Sequence, residues 1–141
     1  MGVLDGKIAI VTGTSRGVGV GIAHELLRAG ATVIGCSRSP LDTIPGVDAD
    51  PSWTARASQK VCDQGDYRSI DSFVADVVAT HGRIDILVNN AGGTVPAPLE
   101  MLMMQPTPSW VAICRYARMA NQSGLIRFIC TANASKSAVR S

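Results

Sequence analysis

The feature that most restricts the fold is Ile8–Val11 running directly into Thr12-Gly13-Thr14-Ser15-Arg16-Gly17-Val18-Gly19. A short apolar run is followed by a glycine-rich turn, and then by a stretch in which Val18, Ile22, Leu26 and Leu27 recur near helical spacing. A strand apolar on both faces has to be covered on both faces, and a helix that follows it at once folds back across one of them. The segment therefore predicts a parallel β-α unit.

The alternation continues as far as Asn90. Gly30 stops the first helix, and Thr32–Cys36 reads as a second strand. Pro40, Pro45 and Pro51 break any long helix in the next stretch and leave room for a short one near Trp53. Gln59–Cys62 is expected as the third strand. Asp66 then caps a helix whose apolar face is Ile70, Phe73, Val74, Val77 and Val78, ending at His81-Gly82, and Ile84–Val88 is expected as the fourth strand. Past Gly93 the pattern weakens: Pro96, Pro98, Pro106 and Pro108 punctuate a loop around Met101–Met104. Trp110–Ala120 is expected as a short helix and Leu125–Cys130 as a fifth strand. The expected class is α/β, a doubly wound parallel sheet that is incomplete at about five strands. Residues 1–95 form its core, and 96–141 a divergent or truncated segment.

Composition narrows the functions. The net charge of +2 argues against a dedicated nucleic-acid binder, although the charge is uneven: residues 1–100 carry 8 basic and 11 acidic side chains, and 101–141 carry 5 basic and none acidic. That tail lacks the interleaved aromatics and dense Lys/Arg runs of a nucleic-acid surface. No apolar run approaches a membrane span. The N-terminus enters a strand without room for a secretory leader, and Gly6 stands where a myristoylation signal needs Ser or Thr. Cys36, Cys62, Cys114 and Cys130 show no metal spacing, so no metal site is expected. Reduced thiols and a cytoplasmic address follow.

The chemistry concentrates in the glycine turn. Gly13 lets the chain leave the strand sharply, Gly17 lets backbone approach a pyrophosphate, and Gly19 permits close packing of the helix. Ser15 and Val18 share the same turn, whose helix amides face a phosphate. No Gly-Lys-Ser/Thr follows, which excludes a Walker A loop.

Taken together, T-G-x-x-x-G-x-G and Asn89-Asn90-Ala91-Gly92 directly after the fourth strand resemble the short-chain dehydrogenase/reductase family and its Rossmann-like fold. The likeness covers roughly residues 5–95, and Gly82-Arg83-Ile84-Asp85-Ile86-Leu87-Val88 resembles the family's run into the second motif. The resemblance implies a nicotinamide dinucleotide as cofactor and hydride transfer between it and a small-molecule alcohol or carbonyl. It also implies that Asp63 hydrogen-bonds the adenine amino group. Asn90, Ala91 and Gly92 would line the adenosine-ribose side, while Asn89 ties strands together.

Charge speaks to the choice of cofactor. NAD sites usually end the second strand with a carboxylate that binds the ribose hydroxyls and repels a 2′-phosphate. Here Ser37 and Arg38 stand at that place, with Arg16 in the glycine turn. Two guanidiniums suit a dianionic phosphate, so NADP(H) is favoured over NAD(H).

The proton-transfer machinery matches less well. By resemblance, the family uses a tyrosine with a lysine four residues later, a serine on the preceding strand and an asparagine on the preceding helix. Lys136 lies in a stretch, 133–139, that resembles the start of the helix bearing that pair, but position 132 is alanine. In a second register Thr131 stands near the serine, and the tyrosine would fall beyond Ser141. The tyrosines present, Tyr67 and Tyr116, have no lysine four residues on, and Trp110–Ala120 holds no asparagine. Lys136 and Thr131 are the catalytic candidates, with the tyrosine not found. Two readings result: an NADP-dependent oxidoreductase of alcohols and carbonyls, or a non-catalytic nucleotide-binding remnant or interaction module. A homo-oligomer is compatible with either, although the helix that usually pairs subunits looks incomplete.

Overall fold

Alternation along each strand decides which face of the sheet its side chains join. Strands β1 (Ile8–Thr12), β2 (Thr32–Ser37), β3 (Ala57–Val61), β4 (Ile86–Asn89) and β5 (Phe128–Thr131) form one sheet in the order β3-β2-β1-β4-β5, with every neighbouring pair parallel. This computed structural model describes residues 2–90 and the strand 128–131. Ile8, Ile10, Ile34, Cys36 and Leu87 point to one face, where they bury Ile70, Phe73, Val74 and Val77 of helix α3 (Tyr67–His81). Ala9, Val11, Val33, Ile86 and Val88 point to the other, where Ala23 and Leu27 of helix α1 (Val18–Arg28) cover them. Ile44, Val47 and Trp53 of the β2–β3 connection join that second cluster, and Trp53 belongs to the short helix α2 (Pro51–Thr54). Helices on both faces make the sheet doubly wound, as the two-sided apolar strands require.

Several boundaries differ from the sequence expectation, each for a tertiary reason. β3 begins at Ala57 rather than Gln59 and ends at Val61 rather than Cys62. Its polar sequence suits an edge strand, and its start is held by Arg56, whose guanidinium donates to the carbonyl oxygens of Leu27 (3.0 Å) and Ala31 (2.6 Å). β4 begins at Ile86 rather than Ile84 and runs to Asn89. Asp85 is occupied in clasping the foot of β1: its carboxylate accepts the Ile8 N–H at 2.9 Å, and its own N–H donates to the Ile8 carbonyl oxygen at 2.8 Å. β5 is described over Phe128–Thr131, pairing residue for residue with the four positions of β4, and ends at Thr131 rather than Cys130; the expected start at Leu125 lies outside the described residues. The helix expected over 110–120 and the loop over 93–108 lie outside the described residues, as does Cys114.

Cys36 and Cys62 are buried and free. The hydrogen bond with Cys62, and then burial, push the Cys36 thiol well above its ordinary range and keep it protonated. Among the described residues no helix is long and apolar enough to cross a membrane, and no group of His, Cys, Asp or Glu could hold a metal ion.

Candidate active site at the topological switch point

The chain runs from β1 outward through β2 to β3, then returns through α3 to β4 on the other side of β1. In a parallel sheet this reversal opens a crevice at the carboxyl ends of the two strands that flank it. The glycine turn leaves β1 at that crevice, and Asn90 leaves β4 beside it.

The turn is built by short backbone contacts. The N–H groups of Gly13 and Thr14 donate to the Cys36 carbonyl oxygen at 2.9 and 3.3 Å, which folds the chain back over the end of β2. Gly17 caps α1 at φ 68°, ψ −136°, in the left-handed half of backbone space, and a Cβ built on it would meet nothing within 4 Å. Glycine is required there by conformation, and the space before it is open to a ligand. Gly19 is required for the opposite reason: a Cβ would overlap the Gly13 carbonyl oxygen and stand 2.6 Å from Asn90 Nδ2. Gly19→Ala must displace the turn, and we expect it to cost about 2 kcal/mol in stability, measurable by urea denaturation, together with weaker dinucleotide binding.

The start of α1 differs from those of the other two described α-helices. Asp50 caps α2 by accepting the Ser52 N–H, and Asp66 caps α3 by accepting the Arg68 N–H, both at 2.9 Å. α1 has no side-chain cap and no acid in its first turn. Its leading amides therefore face the crevice with their partial positive charge unneutralised by any side chain of the cap.

The described candidates gather along the carboxyl edge of the sheet. Ser15, Arg16, Gly17 and Val18 form the exposed crest of the turn, and Val18 is 69% exposed. Ser37 and Arg38 follow β2, with Ser37 half-buried and Arg38 exposed. Among the described residues the ion pairs are Arg28–Glu25, Lys60–Asp76 and Arg83–Asp85, and neither Arg16 nor Arg38 takes part in one. Asp63 is exposed after β3, with Oδ1 accepting the Gly65 N–H at 2.9 Å and its own N–H donating to Ser69 Oγ at 2.9 Å. Asn90 donates its backbone N–H to Thr12 Oγ1 (3.0 Å) and its side-chain amide to the Gly13 carbonyl oxygen (3.3 Å), so it fastens the end of β4 to the glycine turn. Asn89 is buried in β4 in register with Thr131, the last residue of β5. Ala91, Gly92 and Lys136 lie outside the described residues.

Sequence reasoning missed Thr14, Gly35 and Gln59. Thr14 is fully buried, and its hydroxyl donates to Gln59 Oε1 at 2.6 Å. Gln59 Nε2 donates to Ser37 Oγ at 3.0 Å, and the Ser37 hydroxyl donates to the Ser39 carbonyl oxygen at 2.7 Å. Gly35 makes room for this chain, since a Cβ there would overlap both Thr14 Oγ1 and Gln59 Oε1. The available signal was Gly35 itself, a glycine inside an apolar strand, which marks a close approach.

Comparison with known proteins agrees with this geometry. Residues 7–114 match the short chain dehydrogenase family. The chain is 42% identical over 98 residues to 2-dehydro-3-deoxy-D-gluconate 5-dehydrogenase of Pseudoalteromonas atlantica, covering 67% of this chain and 38% of that protein. A metagenomic short-chain oxidoreductase solved in complex with NADP superposes with a TM-score of 0.62 at 32% identity, over 83% of this chain and 57% of the other. The N-domain of a bacterial malonyl-CoA reductase with NADP gives 0.66 at 31% identity, over 86% and 28%. The chain spans less than half the length of the curated relatives it matches. With a glycine turn at the switch point of a doubly wound parallel sheet, and with 108 consecutive residues matching as one block, this chain belongs to the short-chain dehydrogenase/reductase family.

Proposed function

We propose that residues 1–95 are the nucleotide-binding core of an oxidoreductase of this family and that they hold NADP(H) in preference to NAD(H). The observation that carries the reading is the uncapped start of α1 behind Gly17, at the crevice where the strand order reverses. A pyrophosphate there would accept from the leading amides of α1, and the absence of a Cβ at Gly17 leaves space for it. Gly13 and Gly19 shape the turn, and the exposed Val18 offers an apolar wall beside it. Asn90 braces the turn from β4; by the family resemblance Ala91 and Gly92, which follow it in sequence, would line the ribose side, and Asp63 after β3 would meet the adenine. Arg16 and Arg38, both exposed and free of ion pairs among the described residues, would meet a 2′-phosphate. When bound, the nicotinamide would exchange a hydride with an alcohol or carbonyl carbon.

Within this chain the two catalytic candidates belong to alternative registers: in one, Thr131 would stand at the carboxyl end of β5 on the substrate side; in the other, Lys136 would supply the positive charge near the nicotinamide ribose. In the register that matches Lys136 the tyrosine position is Ala132, which has no proton to give. An unperturbed tyrosine is itself a poor acid near neutrality, and groups that act as a unit lose most of their effect when one is missing.

In a titration followed by nicotinamide fluorescence, NADPH is expected to bind at least about tenfold tighter than NADH, the equivalent of one charge-assisted contact to phosphate. Equal affinities would refute the preference. NADPH oxidation with carbonyl substrates is expected to stay at background, and turnover abolished by Lys136→Ala would show that the chain is active. Failure to bind either nucleotide would favour an interaction module that keeps the fold without cofactor.

A further inference from the structure

The two arginines lie on different loops. Arg16 is two residues past Thr14 in the glycine turn, and Arg38 lies between Ser37 and Ser39 after β2. A dianionic phosphate is held by two guanidiniums only when both loops keep a fixed spacing, because each planar fork offers its donors in one plane. Backbone pairing joins the two loops only at their base, where the Gly13 and Thr14 N–H groups meet the Cys36 carbonyl oxygen; Ser15 to Val18 and Arg38 to Ser39 lie beyond it, exposed at the end of the sheet.

One side chain joins both loops. Gln59 comes from β3, directly in register with Gly35 of β2, and crosses above that glycine. Its carbonyl oxygen takes the proton of the buried Thr14 hydroxyl at 2.6 Å, and its amide nitrogen donates to Ser37 Oγ at 3.0 Å. The Ser37 hydroxyl proton is then committed to the Ser39 carbonyl oxygen, a bond that spans Arg38 and closes a small turn around it. Ser37 consequently has no proton left to donate to a phosphate, and the direct contacts pass to the arginines and to backbone N–H groups.

We propose that Gln59 is a positioning residue for phosphate recognition: by bonding Thr14 and Ser37 at once, it holds the loops that carry Arg16 and Arg38 at the spacing a 2′-phosphate requires. This deepens the NADP(H) reading above and rests on it. Gln59 touches no part of the dinucleotide and acts only through the two loops.

The test is a set of dissociation constants for NADPH and NADH, measured on the full chain with Gln59→Leu, with Arg16→Ala plus Arg38→Ala, and with all three changes. Gln59→Leu is expected to weaken NADPH about fivefold, the equivalent of roughly one neutral hydrogen bond, and NADH less than about twofold on the same scale. In the background lacking both arginines it should change NADPH affinity less than about twofold, since the groups it positions are gone. A purely structural role would weaken both nucleotides in step and would cost as much without the arginines; either result overturns the proposal. If Gln59→Leu does not fold, Ser37→Ala severs the same chain at its exposed end and should show the same bias toward loss of NADPH; an unbiased loss overturns the proposal as well. Failure of the underlying reading looks different: the arginine pair could then be removed with no change in the NADPH to NADH ratio, and both inferences would fall together.

Discussion

Asp85→Ala is expected to cost about 3 kcal/mol of folding stability, in the range for breaking a buried charged network by removing one partner. Asp85 is 5% exposed. It accepts from the Ile8 N–H at 2.9 Å and from Arg83 through both Nε, at 2.9 Å, and the terminal nitrogen. Alanine leaves the Ile8 N–H buried without its acceptor and opens the clasp between β1 and the approach to β4. The Arg83 side chain is nearly half exposed, so water recovers part of its share and keeps the loss below the upper end of the range. Burial opposes ionisation of Asp85, but the bonds from Arg83 and Ile8 outweigh it and hold the carboxyl below its ordinary value of 3.8. A carboxylate depressed in the folded state contributes stability that is present above the unfolded pKa and is lost as pH falls through the folded one. Urea denaturation of wild type and variant should therefore show the full gap near neutral pH, with the gap closing below about pH 4. A gap that persists unchanged at pH 3 would mean that the charge on Asp85 is not what the fold uses. Asp85→Asn keeps an acceptor for Ile8 and should lose about half as much.

Removing both Arg16 and Arg38 is expected to lower NADPH affinity about a hundredfold, at roughly 1.5 kcal/mol or slightly less for each charge-assisted contact. NADH affinity should change by less than about twofold, because that cofactor carries no phosphate at the position the arginines are proposed to meet. Both residues are exposed, and neither joins an ion pair among the described residues, so the double variant should fold as the wild type does. Raising salt should weaken NADPH binding to the wild type and have less effect on the variant. An equal loss for NADH would place the arginines at the pyrophosphate that both cofactors share and would remove the basis for cofactor choice.

Legibility in the sequence followed how local each cause was. The cap by Asp66 and the α3 stripe of Ile70, Phe73, Val74 and Val77 are readable because capping and periodicity act within a few residues. The glycine turn was readable for the same reason, from its place between an apolar run and a helix. The start of β3 lies two residues before the sequence expectation because Ser58-Gln59-Lys60 carries no apolar signal, and that start is held by Arg56 reaching carbonyls 25 and 29 positions away in sequence. The resemblance points Asn90 to the ribose; what the structure shows is its side chain bracing Gly13, a contact across 77 positions.

Read alone, the chain determined that short strands alternate with helices, that a glycine-opened turn follows the first strand, and that arginines rather than a carboxylate stand within that turn and after the second strand. These are properties of neighbouring residues, governed by backbone sterics and side-chain type. Only the tertiary structure decided that β1 and β4 lie side by side, that α1 starts without a side-chain cap at their crevice, and that Gln59 joins Thr14 to Ser37 across 45 and 22 positions of sequence. Contacts of that kind depend on strand order and register, and no local propensity encodes which distant hydroxyl a strand glutamine will meet.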